Sequence, residues 1–182
     1  MRVIAGRARG SKLVGPSGQE TRPTSDRIKE SLFNMIGFEL YDKSFLDLYS
    51  GSGAIGIEAL SRGAKDATFV ESSREANKAI SSNINKTRFN EDSTILNMDI
   101  YKALDRLGKE NKKFNIIFMD PPYNEDLINN TLQAIIDNKL LDPEGFIIIE
   151  KPKDYKLKDY KELKIWKEKD YKITTMIFLK GV

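Results

Sequence analysis

The chain has 182 residues, 40% of them hydrophobic and 31% charged, a net charge of +3, and neither cysteine nor histidine. That length suits one domain with a real core, and the composition belongs to a soluble folded chain rather than a disordered one. Disulfides, thiolate metal sites, imidazole bases and every Cys–His or Ser–His–Asp arrangement are excluded, so any catalysis must rest on carboxylates, lysines, hydroxyls and positioning.

Residues 1–19 carry Arg2, Arg7, Arg9 and Lys12 with no acid, in a glycine-rich stretch. The first 23 residues read as a small basic arm or hairpin suited to phosphates, with residues 24–182 as the main domain. RPTSDRIKESLFNMIG (22–37) predicts a helix capped by Thr24 or Ser25, with an apolar stripe at Ile28, Leu32, Met35 and Ile36 and an end at Gly37. From residue 44 the pattern alternates. Strands are expected at 44–49, 67–71, 93–98, 114–119 and 145–150, and helices at 54–63, 72–88, 100–108 and 125–141. Residues 151–172 hold nine lysines against five acids, largely alternating in sign, which reads as a solvated hairpin surface. KIWKEKDY (164–171) and ITTMIFLK (173–180) predict two closing strands of opposite direction. No apolar run reaches the roughly 20 residues that span a bilayer and no secretion signal is visible, so a cytoplasmic protein without a membrane partner is expected.

Strand–helix alternation with short apolar strands implies a doubly wound α/β layer, a mainly parallel sheet of seven strands ending in an antiparallel hairpin. Ligands on such sheets bind outside the carboxyl ends of the strands. The first strand ends in LDLYSGSGAIG (46–56), where Gly51, Gly53 and Gly56 form G-x-G-x-x-G at the opening of a helix. Glu71 closes the second strand and is placed to accept two hydrogen bonds from a ribose diol; Asp99 follows the third and could meet an adenine or ribose edge. Turn glycines and helix-capping acids are the plain alternatives. Either a dinucleotide or S-adenosylmethionine would suit the glycine turn. Asp47, four residues before Gly51, favours the latter, because a carboxylate suits an ammonium and is unfavourable beside a pyrophosphate.

The fourth strand delivers Asp120-Pro121-Pro122-Tyr123 to the same rim. The prolines have no N–H, so the turn offers acceptors, which suit a hydrogen-bearing exocyclic amine, while Tyr123 can stack on a flat ring. A sulfonium methyl is already activated and needs an aligned amine more than a tuned base, in keeping with the absence of histidine.

DLYSGSG together with DPPY resembles class I S-adenosylmethionine-dependent methyltransferases of exocyclic amines, which have a Rossmann-like fold. MRVIAGRARGSKL, RPTSDRIKESLFNMI and LDLYSGSGAIGIEALSRGA resemble the RsmD family, which methylates N2 of a guanine in bacterial small-subunit (16S) ribosomal RNA. The likeness runs from the first residue to about Glu150. It implies that Asp47, Gly51 and Gly53 hold the methionine end of S-adenosylmethionine, Glu71 its ribose and Asp99 its adenine, with Tyr49 also in the cofactor site. It implies that Asp120, Pro121, Pro122 and Tyr123 hold the guanine. Arg7, Arg9, Lys12, Arg22 and Arg27 would guide RNA. S-adenosylhomocysteine would be the product, no metal is called for, and the partner would be ribosomal RNA within an assembling small subunit, met by a monomer. Lys172 departs from the pattern, standing where relatives often have glycine. Other readings are a DNA adenine-N6 methyltransferase, a non-catalytic RNA-binding assembly factor of the same fold, and, less favoured, a dinucleotide-dependent oxidoreductase.

Overall fold

A computed structural model describes residues 1–16, 26–122 and 125–182 of the chain, the side chain of Glu125 excepted. Strands β1 (Ser44–Leu48), β2 (Asp66–Glu71), β3 (Ser93–Asn97), β4 (Phe114–Met119), β5 (Leu141–Pro152), β6 (Leu163–Asp170) and β7 (Thr174–Gly181) form one sheet in the order β3-β2-β1-β4-β5-β7-β6. The first five run parallel to one another; β7 runs antiparallel to both β5 and β6. This is the expected Rossmann-like sheet with its terminal hairpin.

Helices α1 (Asp26–Ile36), α2 (Ala54–Ser61) and α3 (Arg74–Thr87) cover one face, and α4 (Ile100–Lys109) and α5 (Glu125–Asp137) the other. Side chains alternate across a strand, so each central strand supplies both cores. Phe45, Phe69, Phe118 and Ile148 enter the core under α1–α3, while Leu46, Val70, Ile117 and Ile147 enter that under α4 and α5. Each fully buried aromatic or aliphatic side chain contributes about 1.5–3 kcal/mol of transfer free energy.

Four sequence expectations need correction. The buried stripe of α1 is Lys29, Leu32, Phe33 and Ile36, whereas Ile28 and Met35 are only partly buried. A lysine occupies the core face because Glu58 waits there to pair with it. The fifth helix ends at Asp137 rather than 141, and β5 starts at Leu141 rather than 145, since a bulge opposite Phe114 and Ile116 lets the chain join the sheet early. The third strand stops at Asn97, and Asp99 is the N-cap of α4, its Oδ1 accepting from the amides of Tyr101 (3.0 Å) and Lys102 (3.2 Å). Finally, 151–172 is no simple solvated hairpin. Lys151 is buried, and Tyr155 and Tyr160 pin the segment before β6 to α5, the Asn129 amide donating to the Tyr155 hydroxyl at 2.5 Å and the Tyr160 hydroxyl donating to the Asn129 carbonyl at 3.1 Å. The proposed caps Thr24 and Ser25 lie outside the described residues.

The basic N-terminal stretch folds back on itself, with Arg2 bridged to Lys12, and seats Val3 and Leu13 in the α1–α3 core. Glu58 of α2 holds it: its carboxylate accepts from the amides of Ile4 (2.8 Å) and Ala5 (3.0 Å) and from Arg62 Nε (2.8 Å). Gly6 passes so close to α2 that a Cβ would lie 1.7 Å from the Ser61 carbonyl oxygen.

Candidate active site

Four strands carry an acid at or near their carboxyl ends, on the same face. Asp47, Glu71, Asp120 and Glu150 each stand two residues after a side chain of the α1–α3 core, so strand alternation aims all four toward that face at the carboxyl rim. Asp47 and Asp120 lie on neighbouring strands, as do Asp47 and Glu71, and the β4–β5 register Met119↔Ile149 sets Asp120 beside Glu150.

Asp47 is the deepest. It is 1% exposed, and its Oδ2 accepts from the Gly56 amide at 3.0 Å, placing the carboxyl at the positive end of α2. Burial pushes its carboxyl well above the ordinary range; the Gly56 bond opposes the rise, and the charges of Glu71 and Asp120 add to it. Between Asp47 and α2 the chain turns through Tyr49 (φ +59°), Gly51 (φ +56°) and Gly53 (φ +74°). At Gly51 a Cβ would meet open space, so the left-handed backbone alone favours glycine there. Gly56 answers to packing instead, since a Cβ would fall 2.4 Å from the Phe69 ring. The Gly51 amide donates to Glu71 Oε2 at 3.0 Å, and the Ser73 amide to Glu71 Oε1 at 2.9 Å. Glu71 thus fixes the turn, and each oxygen keeps a second lone pair for a ligand.

Tyr49, Glu71 and Asp99, chosen separately from the sequence, share the wall of one small pocket with Ser72, Ile100 and Leu127, about 110 Å³ in volume. The Tyr49 hydroxyl lies 2.7 Å from the Thr131 hydroxyl, which anchors the ring at the pocket's edge. Gly53 and Asp47 stand on the other side of the same turn, so the six residues picked for a nucleoside-bearing ligand gather along one rim.

At the end of β4, Asp120 is half-buried, Pro121 buried and Pro122 exposed. Burial and the neighbouring Glu150 charge raise the Asp120 carboxyl from 3.8 to about 7. Burial also raises Glu150, and the Thr174 side chain opposes the rise. Tyr123 lies outside the described residues. Glu150 went unassigned in the sequence, although GFIIIE repeats the apolar-then-acid ending of ATFVE. Asn83 was also missed: fully buried on α3, it donates to the carbonyls of Ser52 and Val14 (both 2.9 Å) and accepts from the Val14 amide (2.8 Å), tying the glycine turn to the N-terminal arm. No sequence signal marks it, because a polar residue mid-helix reads as surface.

Of the basic residues, Arg9, Lys12 and Arg27 are exposed, and Arg22 is outside the described residues. Arg7 is partly engaged, 3.4 Å from Asp92 and 5.0 Å above the Phe89 ring, but its side chain stays 62% exposed. Among the described residues no group of acids is arranged to hold a metal ion, and no helix is long and apolar enough to cross a membrane. The charged neighbours that raise Asp47 are the carboxylates of Glu71 and Asp120. A positively charged ligand would relieve that repulsion.

Comparison with known proteins agrees with this layout. Residues 1–180 match the family model described as Conserved hypothetical protein 95. Over 157 residues the chain is 38% identical to YlbH of Bacillus subtilis, covering 86% of this chain and 85% of that protein. It is 35% identical over 150 residues to ribosomal RNA small subunit methyltransferase D of Escherichia coli K12, covering 82% and 74% respectively. The solved structure of yhhF from Escherichia coli superimposes with a TM-score of 0.86 at 30% identity, over 100% of this chain and 97% of that one.

Proposed function

The chain belongs to the Conserved hypothetical protein 95 family, and we propose that it transfers a methyl group from S-adenosylmethionine to the exocyclic N2 amine of a guanine in bacterial 16S ribosomal RNA. The observation that carries this reading is the row of four same-face acids at the carboxyl rim, beside a glycine turn, with the charges of Glu71 and Asp120 crowding the deepest of them. S-adenosylmethionine supplies a methyl activated by a sulfonium and brings positive charge to this acidic rim.

In this reading Glu71 and Asp99 hold the nucleoside end in the pocket they share with Tyr49, while Asp47 and the Gly51–Gly53 turn hold the methionine end. Asp120 and the carbonyls of the Pro121-Pro122 turn accept the amine hydrogens and aim the nitrogen lone pair at the methyl. As the N–C bond forms and the C–S bond breaks, positive charge grows on the amine, and an ionised Asp120 stabilises it. The surplus amine proton is then acidic enough to leave to water. A nearby positive charge also draws the raised Asp120 carboxyl back toward ionisation, so a filled cofactor site prepares the acceptor. Tyr123 would stack on the base. Arg7, Arg9, Lys12, Arg22 and Arg27 would meet the phosphates, with the enzyme acting as a cytoplasmic monomer on an assembling small subunit.

The test is methyl transfer from labelled S-adenosylmethionine to small-subunit particles lacking the modification, followed by nucleoside mass spectrometry. N2-methylguanosine in 16S RNA is expected. Label in N6-methyladenine of duplex DNA, or none in either, would overturn the reading.

A further inference from the structure

A groove of about 460 Å³ runs between α1 and β6, walled by Arg27, Glu30, Ser31, Asn34, Lys167 and Lys169. β6 is parallel to β5, because both pair antiparallel with β7, so its carboxyl end reaches the rim that carries the acids. The register is explicit: Met176 of β7 faces Glu150 on one side and Lys169 on the other. Lys169 therefore sits two strand spacings from Glu150, about 10 Å, and about 14 Å from Asp120. Phe178 faces Lys167 and, like Met176, belongs to the α1–α3 core, so both lysines rise on the face that bears the acids.

The groove's charges are three cations against one acid. Lys167 is committed, its Nζ donating to the Met35 carbonyl at 3.1 Å and lying 5.7 Å from the Phe178 ring. The side chains of Arg27 and Lys169 make no ion pair or hydrogen bond with another described residue, although Glu30 shares the groove with them. Unpaired cations in a trough with Ser31 and Asn34 on its wall match a sugar–phosphate strand, whose phosphates take the cations and whose hydroxyls take the polar side chains. A base delivered to the rim must bring its flanking backbone with it, since the target nucleotide leaves its stack while the chain on either side stays continuous.

We propose that the α1/β6 groove is the exit track for the RNA strand adjoining the target guanine, with Arg27 and Lys169 as its phosphate contacts; this rests on the methyltransferase reading above. It turns part of the lysine-rich C-terminal region from solvated surface into substrate-binding surface and gives the enzyme a second RNA contact besides the N-terminal arm.

The test compares wild type, Arg27→Glu/Lys169→Glu, Glu30→Gln and, as a charge-reversal control away from the groove, Lys112→Glu on the exposed loop before β4. Binding of 16S RNA is measured against salt, and methyl transfer is measured on RNA and on small-subunit particles. The double variant is expected to raise Kd and KM about tenfold and to flatten the salt dependence of log Kd by about two counterions, with kcat and S-adenosylhomocysteine affinity unchanged. Glu30→Gln is expected to tighten binding about two- to threefold. RNA affinity and salt slope equal to wild type in the double variant, or an equal loss in Lys112→Glu, overturn the track. Unchanged RNA binding with lost transfer to particles also overturns it, and points to a protein occupant. If wild type transfers no methyl while the salt slope still responds, the groove stands as an RNA track and the activity proposed above falls.

Discussion

Lys29 and Glu58 form an ion pair with Nζ 3.3 Å from Oε2, and neither side chain has any solvent exposure. Lys29 also donates to the Arg2 carbonyl at 2.5 Å, so the pair joins α1, α2 and the basic arm in one polar knot inside the core. Buried charges of this kind persist only when each is paired and fully hydrogen-bonded. Glu58→Ala is expected to cost about 3–5 kcal/mol, since it strands the Lys29 ammonium and two arm amides. Urea denaturation gives the loss, and faster hydrogen exchange at Ile4 and Ala5 locates it. Lys29→Met/Glu58→Leu should be less destabilised than Glu58→Ala alone, because it leaves no ammonium buried without its partner, and the Arg62 side chain reaches solvent.

Asp120 exchanges stability for function. Its folded-state pKa of about 7 lies above the ordinary 3.8, so the folded protein binds its proton more tightly than the unfolded chain does. The stabilisation this gives is fully present below about pH 4 and is lost as pH climbs through 7. Asp120→Asn removes the penalty. The variant is expected to be more stable than wild type by about 1–3 kcal/mol at pH 8, and equal to it near pH 4. Thermal melts across that range check the sign; a gap that widens toward acid would contradict it.

The same carboxylate sets the pH dependence of the reaction. Asp120 acts ionised, so kcat/KM for the free enzyme should rise with pH through about 7. Glu150→Gln removes a neighbouring negative charge, which should move that limb toward acid while lowering the rate less than Asp120→Asn. The latter is expected to lose about 10²–10³ in kcat. An unshifted limb in Glu150→Gln would separate Glu150 from the reaction.

Gly56 is tested by a compensating pair. Gly56→Ala drives a methyl into the Phe69 ring, expected to cost about 1–3 kcal/mol of overpacking and to displace the start of α2 from Asp47. Phe69→Leu vacates the ring position and should restore part of both stability and S-adenosylmethionine affinity, measured by calorimetry. Failure of the second change to recover any of the loss would rule out the ring contact as the cause.

Much of this was readable along the chain. Apolar runs of five or six residues between amphipathic helices leave few options besides a parallel sheet, and the sheet carries its own rule for where ligands go. The glycine turn, Glu71, Asp99 and Asp120 are each a local signal at a strand end, and the fold gathers them on one rim. Boundaries were less legible. The bulge that starts β5 early depends on pairing with β4, a partner nearly thirty residues distant in the chain.

The residues that stayed hidden share one property: their role comes from what the fold sets against them. Lys29 looks like a surface lysine until Glu58 faces it, and Asn83 looks solvated until the arm and the glycine turn close over it. Glu150 looks like an ordinary strand-end acid until burial raises it. Sequence alone determined the layers, the strand order's general form and the chemistry available at the rim, because periodicity and turn residues act over a few neighbours. Only the tertiary structure decided which charges are buried, paired or crowded, because desolvation and Coulomb energy depend on distances between residues remote in sequence.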